Sequence, residues 1–200
     1  MRYIWTDAGD DPSWDVGTAF GIDGYFFPAF DAITPATVVE AAARGNVHGI
    51  YIGENWLPGQ TPAQYATTVN NYIKPIRAKL PGLRLQLNIE QGVAEVLAKL
   101  QAVRTLQPNI GLSWSLMGMS GGLFSQGFVD WLVKLHVRVV PECFFGADGR
   151  MDGIFDSLAT ARDITKRGVP DSLVSPMIDA KYASLLGNWQ GYAFTMGRLA

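Results

Sequence analysis

Apolar and polar residues alternate along short segments of this chain, and "LRLQLNIE" (83–90) shows the pattern most clearly. Leucine or isoleucine occupies each odd-numbered position, whereas Arg84, Gln86, Asn88 and Glu90 occupy the even ones. Successive side chains of a strand point to opposite faces, so this segment predicts a strand with one apolar and one polar face. The polar face ends in the carboxylate of Glu90. Whether this carboxylate is a solvent-exposed group or part of a functional site depends on the neighbouring segments.

Further segments share this β-rich character and are bounded by glycine, proline or other turn residues. The eight predicted strands cover residues 2–7, 24–30, 48–54, 84–90, 110–116, 137–143, 173–179 and 192–197. Helical spacing of apolar residues lies between them, at 34–46, 61–82, 92–108, 125–136 and 152–169. Thr34 and Thr61 stand at predicted helix N-caps with a proline directly inside, which is typical of helix starts.

Strands that alternate with helices indicate parallel pairing through βαβ units. Eight such units predict one α/β domain over residues 1–200, a compact (β/α)8 TIM-like barrel. An open doubly wound sheet is the alternative, but its GxGxxG phosphate motif is absent from "WTDAGDDPSW" after the first strand. The chain stops at Ala200 soon after the eighth strand, so we expect a barrel without a closing C-terminal helix. We expect other chains, or a second copy, to cover the open wall.

The composition narrows the classes of partner. The 200 residues are 48% hydrophobic, enough for a buried core, and the formal net charge is -2. No run of lysine or arginine offers a surface to nucleic acid or to an anionic membrane, so neither partner is expected. Cys143 is the one cysteine and cannot form an internal disulfide, and the first residues lack the long apolar stretch of a signal peptide. We therefore expect a protein made in the cytoplasm that uses no cofactor.

Catalytic residues of such barrels gather at the C-terminal ends of the strands. The predicted strand ends carry acidic residues, namely Asp7, Glu54, Glu90, Glu142 and Asp179, with Asp31 just past the second strand. Glu90 therefore belongs to an expected ring of carboxylates, and the rest of its polar row supports it from below.

A ring of carboxylates suits glycoside hydrolysis, which needs one protonated acid and one ionised carboxylate about 5–9.5 Å apart. Strands four and six have one strand between them, so at about 4.8 Å per strand their inward carboxylates fall near this range. We expect Glu90 to be the acid and Glu142 or Asp179 to be the nucleophile or base. Asp7 and Asn88 would orient them.

Two tryptophans and one further acid are candidate substrate-binding residues at the same end. Trp56 and Trp114 offer flat rings that suit the apolar faces of sugars, and Glu54 lies beside Trp56 in "ENWLPG". A tryptophan at a strand end can instead pack in the core. For Trp114, core packing is the stronger of the two expectations. Acids at strand ends also cap helices or form turns, and Glu54 and Asp31 fit that role best.

The acids at these strand ends resemble those of glycoside-hydrolase-like barrels, in particular the family 25 lysozymes that cleave bacterial peptidoglycan. The resemblance lies in Asp7 at the end of strand one and in "NIE" (88–90), where that family has an Asp-x-Glu pair and this chain has Asn88. It implies that Glu90 is the catalytic acid. The segments "GYFFPAFD" and "GIYIGENW" also resemble barrel domains in tail proteins of phages that infect actinobacteria, which implies a virion protein that contacts the cell-wall glycan.

Two other kinds of site are less consistent with the sequence. "GMSGG" places Ser120 in a nucleophile-elbow pattern, but the only later histidine, His136, opens strand six at the opposite end of the barrel. His48 and His136 have no partner at metal-ligand spacing, and the acids of "DAGDDPSWD" (7–15) lack the spacing of a calcium loop, so no metal is expected. Two hypotheses remain: a glycan-directed barrel, and a non-catalytic barrel that serves binding or assembly.

Overall fold

The computed structural model describes part of the chain. The described residues are 2–5, 24–30, 33–44, 47–53, 57–89, 93–117, 125–143, 162, 164–175, 177–179 and 192–195. Of these, the side chains of residues 2–5, 25, 116–117, 141–143, 177–179 and 192–195 lie outside the description.

The described strands form a closed barrel in which every neighbouring pair is parallel. The strands are β1 (Arg2–Trp5), β2 (Gly24–Pro28), β3 (Val47–Gly53), β4 (Arg84–Asn88), β5 (Gly111–Met117), β6 (Arg138–Cys143), β7 (Met177–Asp179) and β8 (Tyr192–Thr195). They follow one another in sequence order around the barrel, and β8 pairs with β1. The barrel prediction is therefore confirmed, and the open doubly wound sheet is wrong.

Helices connect the central strands on the outside of the barrel. They are α1 (Pro35–Arg44), α2 (Pro62–Arg77), α3 (Val93–Leu106) and α4 (Gln126–Lys134) in the described part of the chain. The N-cap of α2 is a capping box, in which the side chain of Thr61 accepts from the backbone of Gln64 and the side chain of Gln64 accepts from the backbone of Thr61. Thr34 accepts a hydrogen bond from the backbone N–H of Thr37 at 3.2 Å. Both predicted threonine caps are confirmed.

The seventh strand begins later than its sequence predicts. Residues 173–175 were expected in this strand, but Leu173 belongs to the 3-10 turn Asp171–Leu173, and Val174 forms an isolated parallel bridge to Val139 of β6 ahead of the strand. The backbone N–H of Leu173 donates to Pro170 and that of Val174 donates to Asp171, so the turn uses donors that a strand would give to its neighbour. The predicted helix over 152–169 and the links at 6–23, 180–191 and 196–200 lie largely or wholly outside the described residues.

The strands separate an apolar outer face from a polar inner face. Leu85 pairs in register with Leu112, and Leu87 pairs with Trp114; all four are at most 3% exposed and belong to the core under the helices. Gln86, between the two leucines of β4, instead lines the barrel interior. The two-faced strand predicted over 84–90 is therefore confirmed for Arg84–Asn88, and its polar row faces inward.

Gly49 of β3 allows the ring of Phe26, on β2, to approach its backbone closely inside the barrel. A Cβ atom at this position would lie 2.4 Å from Cε1 of Phe26 and 2.7 Å from the backbone oxygen of Arg84. The ring of Phe26 is 4% exposed and occupies the space that a side chain at position 49 would need. The backbone oxygen of Arg84 belongs to the neighbouring strand and cannot move without disturbing the sheet.

We expect Gly49→Ala to lower the free energy of unfolding by about 1–3 kcal/mol, because the added methyl group overpacks the barrel wall. Urea denaturation followed by circular dichroism measures this change. Gly82→Ala is the matched control, since nothing lies within 4 Å of its Cβ position and we expect a change within about 0.5 kcal/mol. Equal stability of the Gly49→Ala variant and the parent protein would contradict the close approach.

Candidate functional site

Polar side chains line the inside of the barrel along β4, β5 and β6. Gln86 is 1% exposed, and its register partner Ser113 is 5% exposed. The hydroxyl of Ser113 donates to the backbone oxygen of Leu85 at 3.3 Å, and that of Ser115 donates to the backbone oxygen of Leu87 at 3.5 Å. These bonds satisfy the hydroxyl protons within the sheet, as buried polar groups require. The oxygen lone pairs of the serines remain as acceptors.

The two ends of this interior differ chemically. Arg84 begins β4 and Arg138 begins β6, so the lower end, at the N-termini of the strands, carries two guanidinium groups. Asn88 ends β4 and is half-buried, so the upper end carries a neutral carboxamide at the level of Ser115. Ligands of parallel barrels bind at the upper end. Asn88 is therefore the one predicted site residue whose side chain the described part of the structure places at that rim.

The predicted carboxylates lie at or beyond the edge of what the structure describes. The backbone of Glu142 lies in β6, between Met117 of β5 and Met177 of β7. Asp179 ends β7 opposite Thr195, so β4, β6 and β7 bring the backbones of Asn88, Glu142 and Asp179 to the same end of the barrel. The side chains of Glu142 and Asp179 lie outside the described part, as do residues Asp7, Asp31, Glu54, Trp56 and Glu90 entirely.

Trp114 is not the candidate sugar platform; it packs in the core, which was the stronger of the two roles expected for it. Its ring is 3% exposed and packs edge-on against Phe128 of α4, with ring centroids 5.5 Å apart. The indole N–H donates to the backbone oxygen of Ile89 at 3.1 Å, so its polar atom is also occupied. Trp114 therefore lies on the helix side of the sheet. The sequence carried this signal, because Leu112 and Trp114 alternate with two serines in "LSWSL" and so share the apolar face.

Sequence reasoning missed an aromatic contact between Phe30, just past the C-terminal end of β2, and Tyr72 of α2. Phe30 has a φ of 68°, a left-handed conformation that is strained for a bulky side chain. Its ring lies 4.4 Å from that of Tyr72 on α2, and the hydroxyl of Tyr72 donates to the backbone oxygen of Ile33 at 2.7 Å. Burial raises the pKa of Tyr72 to about 12, while the backbone of Phe30 acts in the opposite direction. No sequence signal predicts this contact or the backbone conformation of Phe30, since phenylalanine does not favour positive φ.

The rival sites receive no support from the described residues. The backbone oxygen of His136 accepts from Arg104, which also donates to Pro108 and Ile110, so His136 lies before β6 at the lower end. Ser120 lies outside the described residues. Within the described part, no three His, Cys, Asp or Glu side chains are grouped to hold a metal ion. The acids at 7–15 are not among the described residues.

None of the helices that the structure describes combines the length and the apolar character needed to cross a lipid bilayer.

Solved structures with the same fold support the barrel architecture. A domain of a thermostable chitinase from Pyrococcus furiosus, solved as catalytic-site mutants with chito-oligosaccharides, matches with a TM-score of 0.61 and 14% identity over 97% of this chain and 82% of that one. A 3-keto-L-gulonate-6-phosphate decarboxylase from Vibrio cholerae matches with a TM-score of 0.56 and 13% identity, over 99% of this chain and 88% of that one.

A third similar structure is KGPDC from Streptococcus mutans, with a TM-score of 0.55 and 11% identity over 98% of this chain and 87% of that one. At this level of identity these likenesses establish the α/β barrel fold and nothing about activity. No protein-family model matches the chain. No curated protein matches it either.

We expect Tyr72→Phe to lower the free energy of unfolding by about 1 kcal/mol near neutral pH, because it removes the hydrogen bond to Ile33. The pH dependence gives a second readout. The pKa of Tyr72 rises from 10.0 when unfolded to about 12 when folded, so its stabilising effect is present below pH 10 and is lost as the pH rises towards 12.

The Tyr72→Phe variant should therefore lose less stability between pH 10 and 12 than the parent protein, as measured by urea denaturation at each pH. The other tyrosines titrate in both proteins and cancel in the comparison. If the free energies of unfolding of the two proteins fall equally between pH 10 and 12, the raised pKa of Tyr72 is contradicted.

Proposed function

We propose that this protein is a glycan-directed barrel of the glycoside-hydrolase type that contacts bacterial cell-wall glycan. The observation that carries the proposal is the register of β4, β5 and β6. Asn88 lies level with Ser115 and Val140, and Met117 lies level with Glu142, two positions further along. Glu90 follows Asn88 by two positions in the sequence, so continued pairing would bring it level with Glu142.

The spacing of the strands suits a pair of catalytic carboxylates. One strand separates β4 from β6, which corresponds to about 9.6 Å between their backbones at about 4.8 Å per strand. Inverting glycosidases hold their carboxyl groups about 6.5–9.5 Å apart, and retaining ones about 5–5.5 Å apart. Inward-pointing side chains on β4 and β6 would therefore favour the inverting arrangement. Asp179 on β7 is the alternative partner for Glu90.

The proposed roles follow from this arrangement. Glu90 donates the proton to the leaving oxygen, and Glu142 activates a water on the other side of the sugar. Asn88, one inward position below Glu90, would hold the acid in place through its carboxamide, which can both donate and accept hydrogen bonds. Asp7 would assist in orienting the acid.

Substrate contacts are proposed for the loop that follows β3. Trp56 and Glu54 stand there in the sequence, where an aromatic ring and a carboxylate could contact sugar faces and hydroxyl groups. The structural likeness to a chitinase domain supports a glycan-related role for the barrel, and the sequence resemblance to family 25 lysozymes supports peptidoglycan as the glycan. The resemblance to phage tail barrels supports a place in the virion among other chains.

A non-catalytic binding or assembly barrel is the second candidate, and Asn88 favours it. A carboxamide at the upper rim cannot act as a general acid or base, whereas the resembling lysozymes have an aspartate at the corresponding position. A barrel that retains the glycan contacts without the full acidic pair would bind cell walls and not cleave them. The two candidates differ in turnover and agree in glycan binding.

We expect Glu90→Gln to reduce the release of reducing sugar from peptidoglycan or chitin oligosaccharides by about 10²–10⁴-fold while the circular dichroism spectrum stays unchanged. Glu40→Gln removes an equal charge from the exposed face of α1, outside the barrel interior, and should leave turnover unchanged. A parent protein that binds these glycans without cleaving them would reject the enzyme and retain the binding module. Absence of both binding and cleavage would reject the proposal.

We expect Asn88→Asp to move the alkaline limb of the kcat/KM profile upward by about one pH unit, because a second carboxylate near Glu90 disfavours ionisation of the acid. Glu90 then stays protonated to higher pH. The matched control is Asn71→Asp on the exposed face of α2, which should leave the profile in place. An identical pH profile for the Asn88→Asp variant would place Asn88 too far from the acid to orient it.

A further inference from the structure

The lower half of the barrel encloses a cavity whose polar lining consists mainly of hydrogen-bond donors. It lies below the rim discussed above, between the first residues of β3, β4 and β6 and the segment before β7. The described lining residues are Phe26, His48, Arg84, Gln86, Ser113, Arg138, Val140 and Ser175. Among them there is no carboxylate, and two carry a permanent positive charge. This end of the barrel therefore has the opposite electrostatic character to the acidic rim expected above it.

Gln86 provides a buried donor directed at this cavity. Its side chain is 1% exposed, and its Nε2 atom has no hydrogen-bond partner among the described residues. Leaving such a buried donor without a partner is unfavourable, because the group has lost its hydrogen bonds to water. Ser175 is 3% exposed and accepts from the guanidinium of Arg138 at 3.3 Å, which leaves its own hydroxyl proton available to a further acceptor.

Arg84 reaches across the neighbouring strand towards the same space. A Cβ atom at Gly111 would lie 3.0 Å from Cγ of Arg84 and 3.5 Å from its Cδ and Nε atoms. The stem of Arg84 therefore lies over Gly111 of β5, on the way from β4 towards β6, where Arg138 begins. Two cationic side chains, Arg84 and Arg138, therefore line this space.

The size of the cavity limits what it can hold. Its volume is about 10 Å³, near the smallest that accommodates a single water molecule. A phosphate or sulfate ion would not fit without displacing the surrounding side chains. A single-atom anion matches the lining of donors, and because it is only slightly larger than a water molecule it requires the smallest outward shift of the surrounding side chains.

We propose that the lower barrel interior is a binding site for one small anion of the halide type, held by Arg84, Gln86, Arg138 and Ser175. The anion accepts from the Nε2 atom of Gln86 and the hydroxyl of Ser175, and the positive charges of Arg84 and Arg138 attract it. Its role is to stabilise the barrel from the end opposite the proposed glycan site. The proposal does not depend on the glycan function.

The test measures thermal unfolding of the whole protein in mixtures of sodium chloride and sodium gluconate at constant sodium concentration, so that general charge screening stays fixed. We expect chloride to raise Tm by about 3–6 °C when its concentration reaches about ten times the dissociation constant. A crystal soaked in sodium bromide should show an anomalous peak beside Nε2 of Gln86 and the guanidinium of Arg84.

Three variants separate a specific site from a general salt effect. Arg84→Met should lose most of the chloride-dependent shift, whereas Lys79→Met removes an equal but exposed charge and should keep it. Gln86→Glu places a negative charge in the cavity, so this variant should be insensitive to chloride and at least as stable as the parent protein without chloride. If Arg84→Met fails to fold, Gln86→Glu still tests the proposal, because a chloride response of this variant equal to that of the parent protein would contradict the site.

Equal Tm values in chloride and gluconate would overturn the proposal. So would a chloride response that Arg84→Met and Lys79→Met share, or cavity density without an anomalous signal, which would identify the occupant as water.

Discussion

The pairing of β1 with β8 is the interaction on which the rest of the structure depends. Four residue pairs join these strands in parallel, from Arg2 with Tyr192 to Trp5 with Thr195. Because this pairing closes the sheet, each strand has one face towards the outside and one towards an enclosed interior. Closure thus turns a simple alternation of residue types into two compartments with different chemistry. The apolar compartment holds the core, and the polar one holds the candidate sites.

An enclosed polar interior is unfavourable unless its groups find partners. The serines of β5 meet this requirement by bonding to carbonyl groups of β4, whereas Gln86 keeps a donor that no described residue uses. The polar row of β4 therefore meets two different environments along its length. Its first residues face a cationic space, and its last residue, Asn88, reaches the rim where the acids are expected. Both proposals arise from this one row.

The period-two pattern made the barrel predictable, because all eight strands coincide with apolar or alternating segments bounded by turn residues. The later start of β7 was not predictable from the same pattern, since local hydrogen bonds after Pro170 compete with strand pairing. Two roles were expected for Trp114, and its place in the alternation agrees with the stronger one, core packing, whereas its position near a strand end suggested the sugar platform that the structure does not show. The strain at Phe30 depends on contacts with a distant helix, which no local pattern contains.

The contact between Phe26 and Gly49 also constrains how this barrel could evolve. The ring fills a volume that a β-carbon on the adjacent strand would need, so positions 26 and 49 cannot both carry large side chains. A lineage that keeps the barrel can enlarge position 49 only if position 26 shrinks in the same or an earlier step. Substitutions at these two sites should therefore be coupled across descendants, and the pair would serve as a marker for inner-wall packing in divergent sequences.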